Sequence, residues 1–175
     1  MKVLVIVTGL PRSGKDTSIN IIQALLHSQD VPSMTFSSID PVRDMLKGHV
    51  DLSAKTAADR KLLSVVADAM QEHSGFRVRR SLHAMQSFFF DEGEGVFFLQ
   101  IREPELREEV RARAWNEYEV LTIRLLVSSL RAEQAACRAD LVAEMGEFDY
   151  TIDNDGDLYD LDKECQRFLH HFHLL

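Results

Sequence analysis

The sequence predicts an α/β protein in which helices cover both faces of a five-stranded parallel sheet, giving three layers. Short apolar runs, which suit strands buried on both faces, alternate with longer segments in which apolar residues recur every three or four positions. A glycine-rich loop joins the first apolar run to the first periodic segment. Strands and helices that alternate in this way form a parallel sheet with helices on both sides.

The first unit comprises a strand at residues 3–7, a loop at residues 9–17 and a helix with Ile19 and Ile22 on its apolar face. The loop has the Gly-x4-Gly-Lys spacing of a Walker A motif, whose glycines let backbone N–H groups point at phosphate oxygens. Lys15 adds a positive charge where the β- and γ-phosphates of a nucleotide bind. This unit predicts a P-loop NTPase fold with a nucleotide site.

Asp16 departs from the usual pattern, because Ser or Thr normally follows the lysine and its hydroxyl binds magnesium. Thr17 does not replace that hydroxyl, since one step along a helix rotates a side chain by roughly 100°. A carboxylate beside a triphosphate is repelled unless a cation lies between them, and Mg²⁺ prefers oxygen ligands. We predict that Asp16 binds Mg²⁺ directly or through water. The alternative is an aspartate that only stabilises the helix in an inactive loop.

Composition predicts one domain over residues 1–175, with 45% apolar and 27% charged residues. The net charge of −8 argues against non-specific nucleic-acid binding, which needs basic surfaces. The apolar start is too short for a signal peptide or a membrane span. Cys137 and Cys165 have no metal-ligand spacing and are predicted to be buried in helices, which suits a reducing cytoplasm.

A second strand at residues 34–39 leads into Asp40 and Pro41, which suit the start of a helix. Asp40 has two compatible interpretations. It caps that helix, or it lies at the ligand-binding edge of the sheet and accepts a proton or holds a water on the metal. Arg43, in the same turn of helix, is predicted to bind a substrate phosphate.

Two further helices are predicted at residues 56–73, where Thr56 and Asp59 resemble a capping pair, and at residues 76–90. The spacing of Arg77 and Arg80 puts them on one face of the second helix, and in an acidic protein they suggest an anion site. The alternative is a solvated basic face that pairs with nearby acidic residues. We therefore predict that residues 40–92 contain the helices that bind the substrate.

The remaining strands are predicted at residues 96–101, 120–127 and 150–152, and an amphipathic helix at residues 158–172 closes the chain. Arg102 comes at the end of the first of these strands, which places it at the ligand-binding edge of the sheet. Between the last two strands, a helix predicted at residues 130–145 carries Arg131 and Arg138. This part of the chain, residues 128–147, is the predicted lid.

Two classes of P-loop protein are disfavoured by the motifs. The Asn-Lys-x-Asp sequence with which regulatory GTPases recognise the base is absent. An ATPase motor would end its third strand in an acidic residue that positions metal and water, whereas this strand ends in Gln100 and Ile101. A short chain with an arginine-rich middle suits a small kinase, which closes over two anionic substrates and excludes water.

The loop sequence Ser-Gly-Lys-Asp-Thr resembles the P-loop of bacteriophage-type deoxynucleoside monophosphate kinases. Animal-type phosphomevalonate kinases are similar to it, with Gly-Lys-Asp in place of Gly-Lys-Ser. Residues 37–43 and 149–156 are also similar to small kinases of this group. The resemblance implies ATP and Mg²⁺ as cofactors, acceptor chemistry near Asp40 and Arg43, and adenine against the turn at residues 154–156.

The leading prediction is ATP-dependent phosphoryl transfer to a nucleoside monophosphate, preferably a deoxynucleotide, giving the diphosphate. The alternatives are a kinase for a phosphorylated metabolite or a hydroxymethylated nucleobase, and a nucleotide-binding module without turnover. The predicted partners are nucleotide substrates, and a homodimer is left open. The predicted ATP-binding residues are Arg12, Ser13, Gly14, Lys15, Asp16, Thr17, Asn154, Asp155 and Gly156. The predicted catalytic residues are Lys15, Asp16, Asp40, Arg102 and Arg131, with Asp40, Arg43, Arg77, Arg80, Arg102 and Arg138 binding the acceptor.

Overall fold

A computed structural model describes residues 1–54, 56–118, 120–130, 132 and 138–175, without the side chain of Arg138. Its sheet has five parallel strands in the order β2-β3-β1-β4-β5, so the strand that leads into the P-loop lies at the centre. The strands are β1 (Lys2–Thr8), β2 (Ser33–Ser37), β3 (Gly95–Gln100), β4 (Leu121–Ser128) and β5 (Tyr150–Asp153). The predicted five-stranded parallel sheet is confirmed.

Helices cover both faces of this sheet. They are α1 (Lys15–His27), α2 (Asp40–Leu46), α3 (Ala57–Ser74), α4 (Phe76–Glu92), α5 (Pro104–Tyr118), α6 (Arg138–Leu141) and α7 (Leu158–His171). Side chains of β1 alternate between two apolar clusters, because successive residues of a strand point to opposite faces. Val5 packs with α1 and α7 on one face, whereas Leu4 packs with α4 and α5 on the other. The three-layer arrangement is therefore confirmed.

Two capping boxes fix helix starts. At α3, Thr56 accepts from the backbone N–H of Asp59, whose carboxylate accepts from the backbone N–H of Thr56. Asp157 and Asp160 form the same reciprocal pair at α7. The α7 box orients the helix directly after the end of β5, where the ligand-binding edge of a parallel sheet lies.

Over the residues that the structure describes, the helix predicted across the lid segment is confirmed at residues 138–141 and does not continue beyond them. There α6 has only four residues, and turns follow it. The carbonyl of Ala143 accepts hydrogen bonds from Thr8 Oγ1 at 2.8 Å and from Arg107 Nη1 at 3.0 Å, so two side chains of the domain body hold this backbone. The end of the predicted lid is thus docked on β1 and α5. Arg131 and residues 133–137, including Cys137, lie outside the described residues.

Further predictions concern the end of β2, the role of Asp40 and the burial of Cys165. Strand β2 ends at Ser37, two residues earlier than predicted. Asp40 does not cap α2: the N-cap is Ile39, and a carboxylate oxygen of Asp40 accepts from the backbone N–H of Ser37 at 3.3 Å. Cys165 is fully buried in α7, as predicted. In the described part of the chain, no helix has the length and apolar character needed to cross a membrane.

Candidate active site

The P-loop follows β1 and is shaped by two glycines with positive φ. Gly9 has a φ of 144°, and a Cβ on it would lie less than 3.0 Å from the carbonyl oxygen of Val127. Gly14 has a φ of 98°, and a Cβ there would collide with the side-chain amide of Asn154. L-residues with side chains avoid this region of φ, so the loop requires glycine at both places.

Asn154 holds the P-loop from the opposite side. Its side-chain amide donates to the carbonyl of Ser13 at 2.9 Å, and its own backbone N–H donates to Ser128 at the end of β4. Asp155 supports the neighbouring loop, because its carboxylate accepts from Ser129 Oγ at 3.2 Å and from the backbone N–H of Leu130 at 2.6 Å. These residues were predicted to contact adenine. The structure gives Asn154 and Asp155 contacts that support backbone.

The ammonium of Lys15 lies inside the P-loop, where it was predicted to bind nucleotide phosphates. Nζ donates to the carbonyl oxygens of Gly9 at 2.9 Å and Leu10 at 2.6 Å. Burial, followed by the nearby positive charge of Arg102, lowers the pKa of Lys15 to about 8. A cation that is partly desolvated among backbone dipoles gains from a bound anion, which supplies the missing opposite charge. The cradle therefore suits phosphate.

The other predicted phosphate-binding residues surround this cradle. Ser13 is buried and Thr17 is exposed in the first turn of α1. Arg12 is exposed and has a φ of 58°. Gly156 follows Asn154 and Asp155 in the chain. A Cβ on it would collide with Asp160, so its small size keeps the turn close to α7.

Asp16 is exposed in the first turn of α1 and meets the end of β3. The side-chain amide of Gln100 donates to its Oδ1 at 2.8 Å. A carboxylate suits Mg²⁺, which takes one or two protein carboxylates and completes its shell with phosphate oxygens and water. In the described residues no cluster of three His, Cys, Asp or Glu side chains forms an all-protein metal site. The donor set thus fits a magnesium ion that is shared with a nucleotide.

A cleft of about 880 Å³ opens beside Asp16 and Gln100. We call it the α2 cleft, because α2 and the loop after it form much of its wall. Its lining is polar and charged. The residues that line it are Asp16, Thr35, Ser37, Asp40, Arg43, Asp44, Lys47, Gly48, His49, Val50, Asp51, Leu52, Ser53 and Gln100. Asp16 is the predicted site residue that belongs to both the P-loop and this cleft.

Asp40 and Arg43 form an ion pair in the α2 cleft, and each side chain remains nearly half exposed. The structure therefore brings these two predicted acceptor residues together at the ligand-binding edge of the sheet. Their pairing is local, because they lie three residues apart in one helix. An incoming ligand can compete for either partner at little cost, since exposed ion pairs contribute little free energy.

Arg77 is placed differently from the prediction. It is 4% exposed, and its guanidinium donates to both carboxylate oxygens of Glu103, at 2.7 and 2.9 Å, and to Ser38 Oγ at 2.9 Å. Burial alone would raise the pKa of Glu103, but the hydrogen bonds and charge of Arg77 outweigh burial and lower it. Arg77 thus joins the chain after β2 to the chain after β3. Arg80, three residues later on α4, is exposed, so the two arginines differ in their surroundings.

Arg102 forms an ion pair with Asp140 of α6. The carboxylate of Asp140 is fully buried, whereas Arg102 is 33% exposed. Arg102 also lies close enough to Lys15 to lower the pKa of that ammonium, so it stands beside the P-loop cradle. No local signal in the sequence identifies Asp140, Glu103 or Gln100 as partners of the site residues. The predicted roles of Arg131 and the side chain of Arg138 lie outside the described residues.

Comparison with known proteins gives structural matches alone: no family model and no curated sequence matches the chain. The APS kinase of Mycobacterium tuberculosis in complex with AMPPNP and APS superposes with a TM-score of 0.60 at 15% identity, covering 98% of each chain. A cysteine-to-alanine mutant of that kinase gives 0.59 at 15% identity, covering 98% of this chain and 97% of the other. An unliganded sugar kinase from a Janibacter species gives 0.50 at 16% identity, covering 99% and 95%. These likenesses show the α/β P-loop fold.

Proposed function

We propose that this chain is an ATP-dependent kinase that transfers the terminal phosphoryl group of ATP to a small acceptor in the α2 cleft. The observation that carries the proposal is the junction at Asp16. This residue directly follows Lys15 in the P-loop and also lines the α2 cleft. A phosphoryl group held by Lys15 would therefore face an acceptor across a short distance, as phosphoryl transfer requires.

The residues of the nucleotide side have separate tasks. The loop backbone and the N-terminus of α1 would bind the phosphates, with Lys15 and Arg102 supplying positive charge. Asn154 would keep the loop in shape through its hydrogen bond to Ser13. The AMPPNP complex of the structurally similar APS kinase supports a nucleotide at this P-loop. Mg²⁺ would be held by Asp16 and would neutralise phosphate charge when bound.

The P-loop resemblance supports a nucleoside monophosphate, preferably a deoxynucleotide, as acceptor. Arg43 and Lys47 line the α2 cleft and are cations that would bind its phosphate. A nucleotide phosphate needs no general base, because its second pKa of about 6 leaves it nucleophilic near neutral pH. The reaction would then depend on position and charge, which the cleft supplies through Arg43 and Lys47.

A second acceptor class, an uncharged hydroxyl compound, is favoured by the charges around the cleft. Arg77 and Arg102, predicted to hold the acceptor phosphate, are paired with Glu103 and Asp140. The cleft lining itself has more carboxylates, at positions 16, 40, 44 and 51, than guanidinium and ammonium groups. A hydroxyl acceptor would need a general base, and Asp40 is the carboxylate at the edge of the sheet. A hydroxymethylated nucleobase or a sugar belongs to this class.

An ADP-release assay with Mg²⁺ tests the proposal across all common ribo- and deoxyribonucleoside monophosphates, phosphorylated metabolites, sugars and hydroxymethylated nucleosides. We expect acceptor-dependent ADP release that needs Mg²⁺. Asp40→Asn separates the acceptor classes: it should reduce transfer to a hydroxyl by at least tenfold and leave transfer to a phosphate nearly intact. Tight ATP binding without release on any acceptor would contradict the kinase and favour a nucleotide-binding module.

A further inference from the structure

Gln100 contacts Asp16 from the end of an inner strand of the sheet. It is the last residue of β3, where its backbone aligns with Val7 of β1 and Ser37 of β2. Its carbonyl accepts from the backbone N–H of Ser38 at 3.0 Å. Strands on both sides therefore hold the backbone of Gln100, and its side-chain amide reaches Asp16 from a rigid base.

Compared with the usual P-loop arrangement, the acidic and the neutral side chain of this pair occupy each other's positions. There, the P-loop carries a neutral hydroxyl and the acidic residue lies on a neighbouring strand. Here the carboxylate, Asp16, is in the P-loop, and the neutral polar group, Gln100, is at the end of β3. The pair still holds one negative charge, but that charge has moved from the strand to the loop.

We propose that Gln100 is a positioning residue that orients the Asp16 carboxylate for the magnesium ion of the bound nucleotide. This inference rests on the proposed function, because the cation is the one that would accompany ATP. A carboxylate offers about four acceptor sites on its two oxygens. Gln100 occupies one site on Oδ1 and thereby limits rotation of the carboxylate, while other sites are available to a cation.

An amide is the group that suits this position. A second carboxylate at position 100 would face Asp16 at hydrogen-bond distance and repel it. An apolar side chain would leave Asp16 without a partner on β3, so the carboxylate would lose more rotational freedom on binding the cation. Gln100 avoids both penalties, because its amide donates a hydrogen bond and carries no charge.

The test is an exchange of the two groups. We would prepare Asp16→Asn, Gln100→Glu and the double variant, in which an amide at 16 and a carboxylate at 100 restore the hydrogen-bonded pair in reverse. Calorimetry would measure AMPPNP affinity with and without Mg²⁺ for each protein. The ratio of the two affinities, the magnesium enhancement, is the readout, and it does not depend on turnover.

We expect each single variant to lower the magnesium enhancement by about tenfold or more, in the range known for groups that orient metal ligands. The double variant should return to within about threefold of the natural protein. A double variant no better than Asp16→Asn would overturn the inference. Gln100→Leu adds a second test, since it should reduce the enhancement and leave affinity without Mg²⁺ unchanged; an unchanged enhancement would overturn the positioning role.

A matched control comes from α7, where the amide of Gln166 donates to Asp162 at 2.6 Å outside the site. Gln166→Glu changes the net charge by the same amount as Gln100→Glu and should not alter the magnesium enhancement. The outcomes separate the two proposals. Failure of the natural protein to bind AMPPNP would overturn the kinase and the magnesium pair together. Normal binding and turnover without rescue in the double variant would overturn the pair alone.

Discussion

The P-loop and the α2 cleft meet at Asp16 but are held by different kinds of contact. Contacts to backbone atoms determine the shape of the P-loop. Gly9 packs against the carbonyl of Val127, Asn154 donates to the carbonyl of Ser13, and Lys15 donates to two loop carbonyls. The α2 cleft is lined mainly by exposed polar and charged side chains that pair locally, as Asp40 does with Arg43. Changes to the P-loop glycines should therefore affect stability and nucleotide binding together, whereas changes to Arg43 in the cleft should affect acceptor binding alone.

The largest effect is expected at the buried ion pair between Arg77 and Glu103. Arg77→Met should lower the free energy of unfolding by about 3–5 kcal/mol, because it leaves the Glu103 carboxylate buried without its partner. Denaturant unfolding measures this, with Arg80→Met as the exposed control on the same helix. In the remaining folded protein, the acceptor KM should be unchanged. A raised KM with normal stability would restore the predicted substrate role of Arg77.

The same pair gives a pH dependence with a defined sign. Arg77 lowers the pKa of Glu103, so the folded state holds the ionised form more strongly than the unfolded state does. The contribution is present at neutral pH and is lost as the pH falls below the ordinary value of 4.5. Stability measured between pH 6 and pH 3 should therefore fall less steeply in Glu103→Gln than in the natural protein.

On the P-loop side, Gly9→Ala should lower the free energy of unfolding by at least about 2 kcal/mol and abolish ATP binding. The added Cβ collides with the carbonyl of Val127 and needs a strained φ. Gly93→Ala is the control, since Gly93 also has a positive φ but nothing lies within 4 Å of its Cβ position. That variant should lose about 1 kcal/mol and bind ATP normally. Equal effects in both would show that steric fit at Gly9 is unimportant.

Lys15→Met should reduce turnover by roughly ten- to a hundredfold, because it removes a charge-assisted interaction of about 1.5–3 kcal/mol with the phosphates. Stability of the nucleotide-free protein should not fall, since burial already disfavours the ammonium, as its lowered pKa of about 8 indicates. Thermal unfolding and single-turnover kinetics measure the two quantities. Undiminished turnover would contradict the assignment of the phosphate cradle.

The smallest effect on activity is expected in the cleft, where stability should also change little. Arg43→Met should change the free energy of unfolding by less than about 1 kcal/mol, because the pair with Asp40 is exposed. The acceptor KM should rise about tenfold, which is the effect of losing roughly 1.4 kcal/mol of binding, while the KM for ATP stays constant. Lys61→Met, an exposed change on α3 outside the cleft lining, is the control. A large loss of stability in Arg43→Met would remove the distinction between the two regions.

Features encoded by residues that lie close together in the chain were predictable from the sequence. The glycine spacing gave the P-loop, and the Thr56–Asp59 pair gave the start of α3, because both signals lie within a few residues. Side-chain partners from distant segments were not predictable. Arg77 turns inward because Glu103, 26 residues later, neutralises it, and no local pattern encodes that choice.

The same limit explains why the partner of Asn154 was not predicted. Asn154 was recognised as part of a turn, but its partner Ser13 lies 141 residues earlier in the chain. The predicted adenine contact, the lid arginines and the homodimer stay predictions. In the described part of the lid, the helix ends at Leu141, and Thr8 and Arg107 hold the Ala143 carbonyl in the turn that follows.

The clamp between Asn154 and Ser13 also has a consequence for biosynthesis. The P-loop leaves the ribosome well before its partner, because Asn154 follows Ser13 by 141 residues. Until β5 and Asn154 have been made, a nascent chain would hold its loop sequence without the amide that shapes it. We therefore expect ATP to stabilise the P-loop only after β5 has joined the sheet, and not to guide the earlier steps of folding.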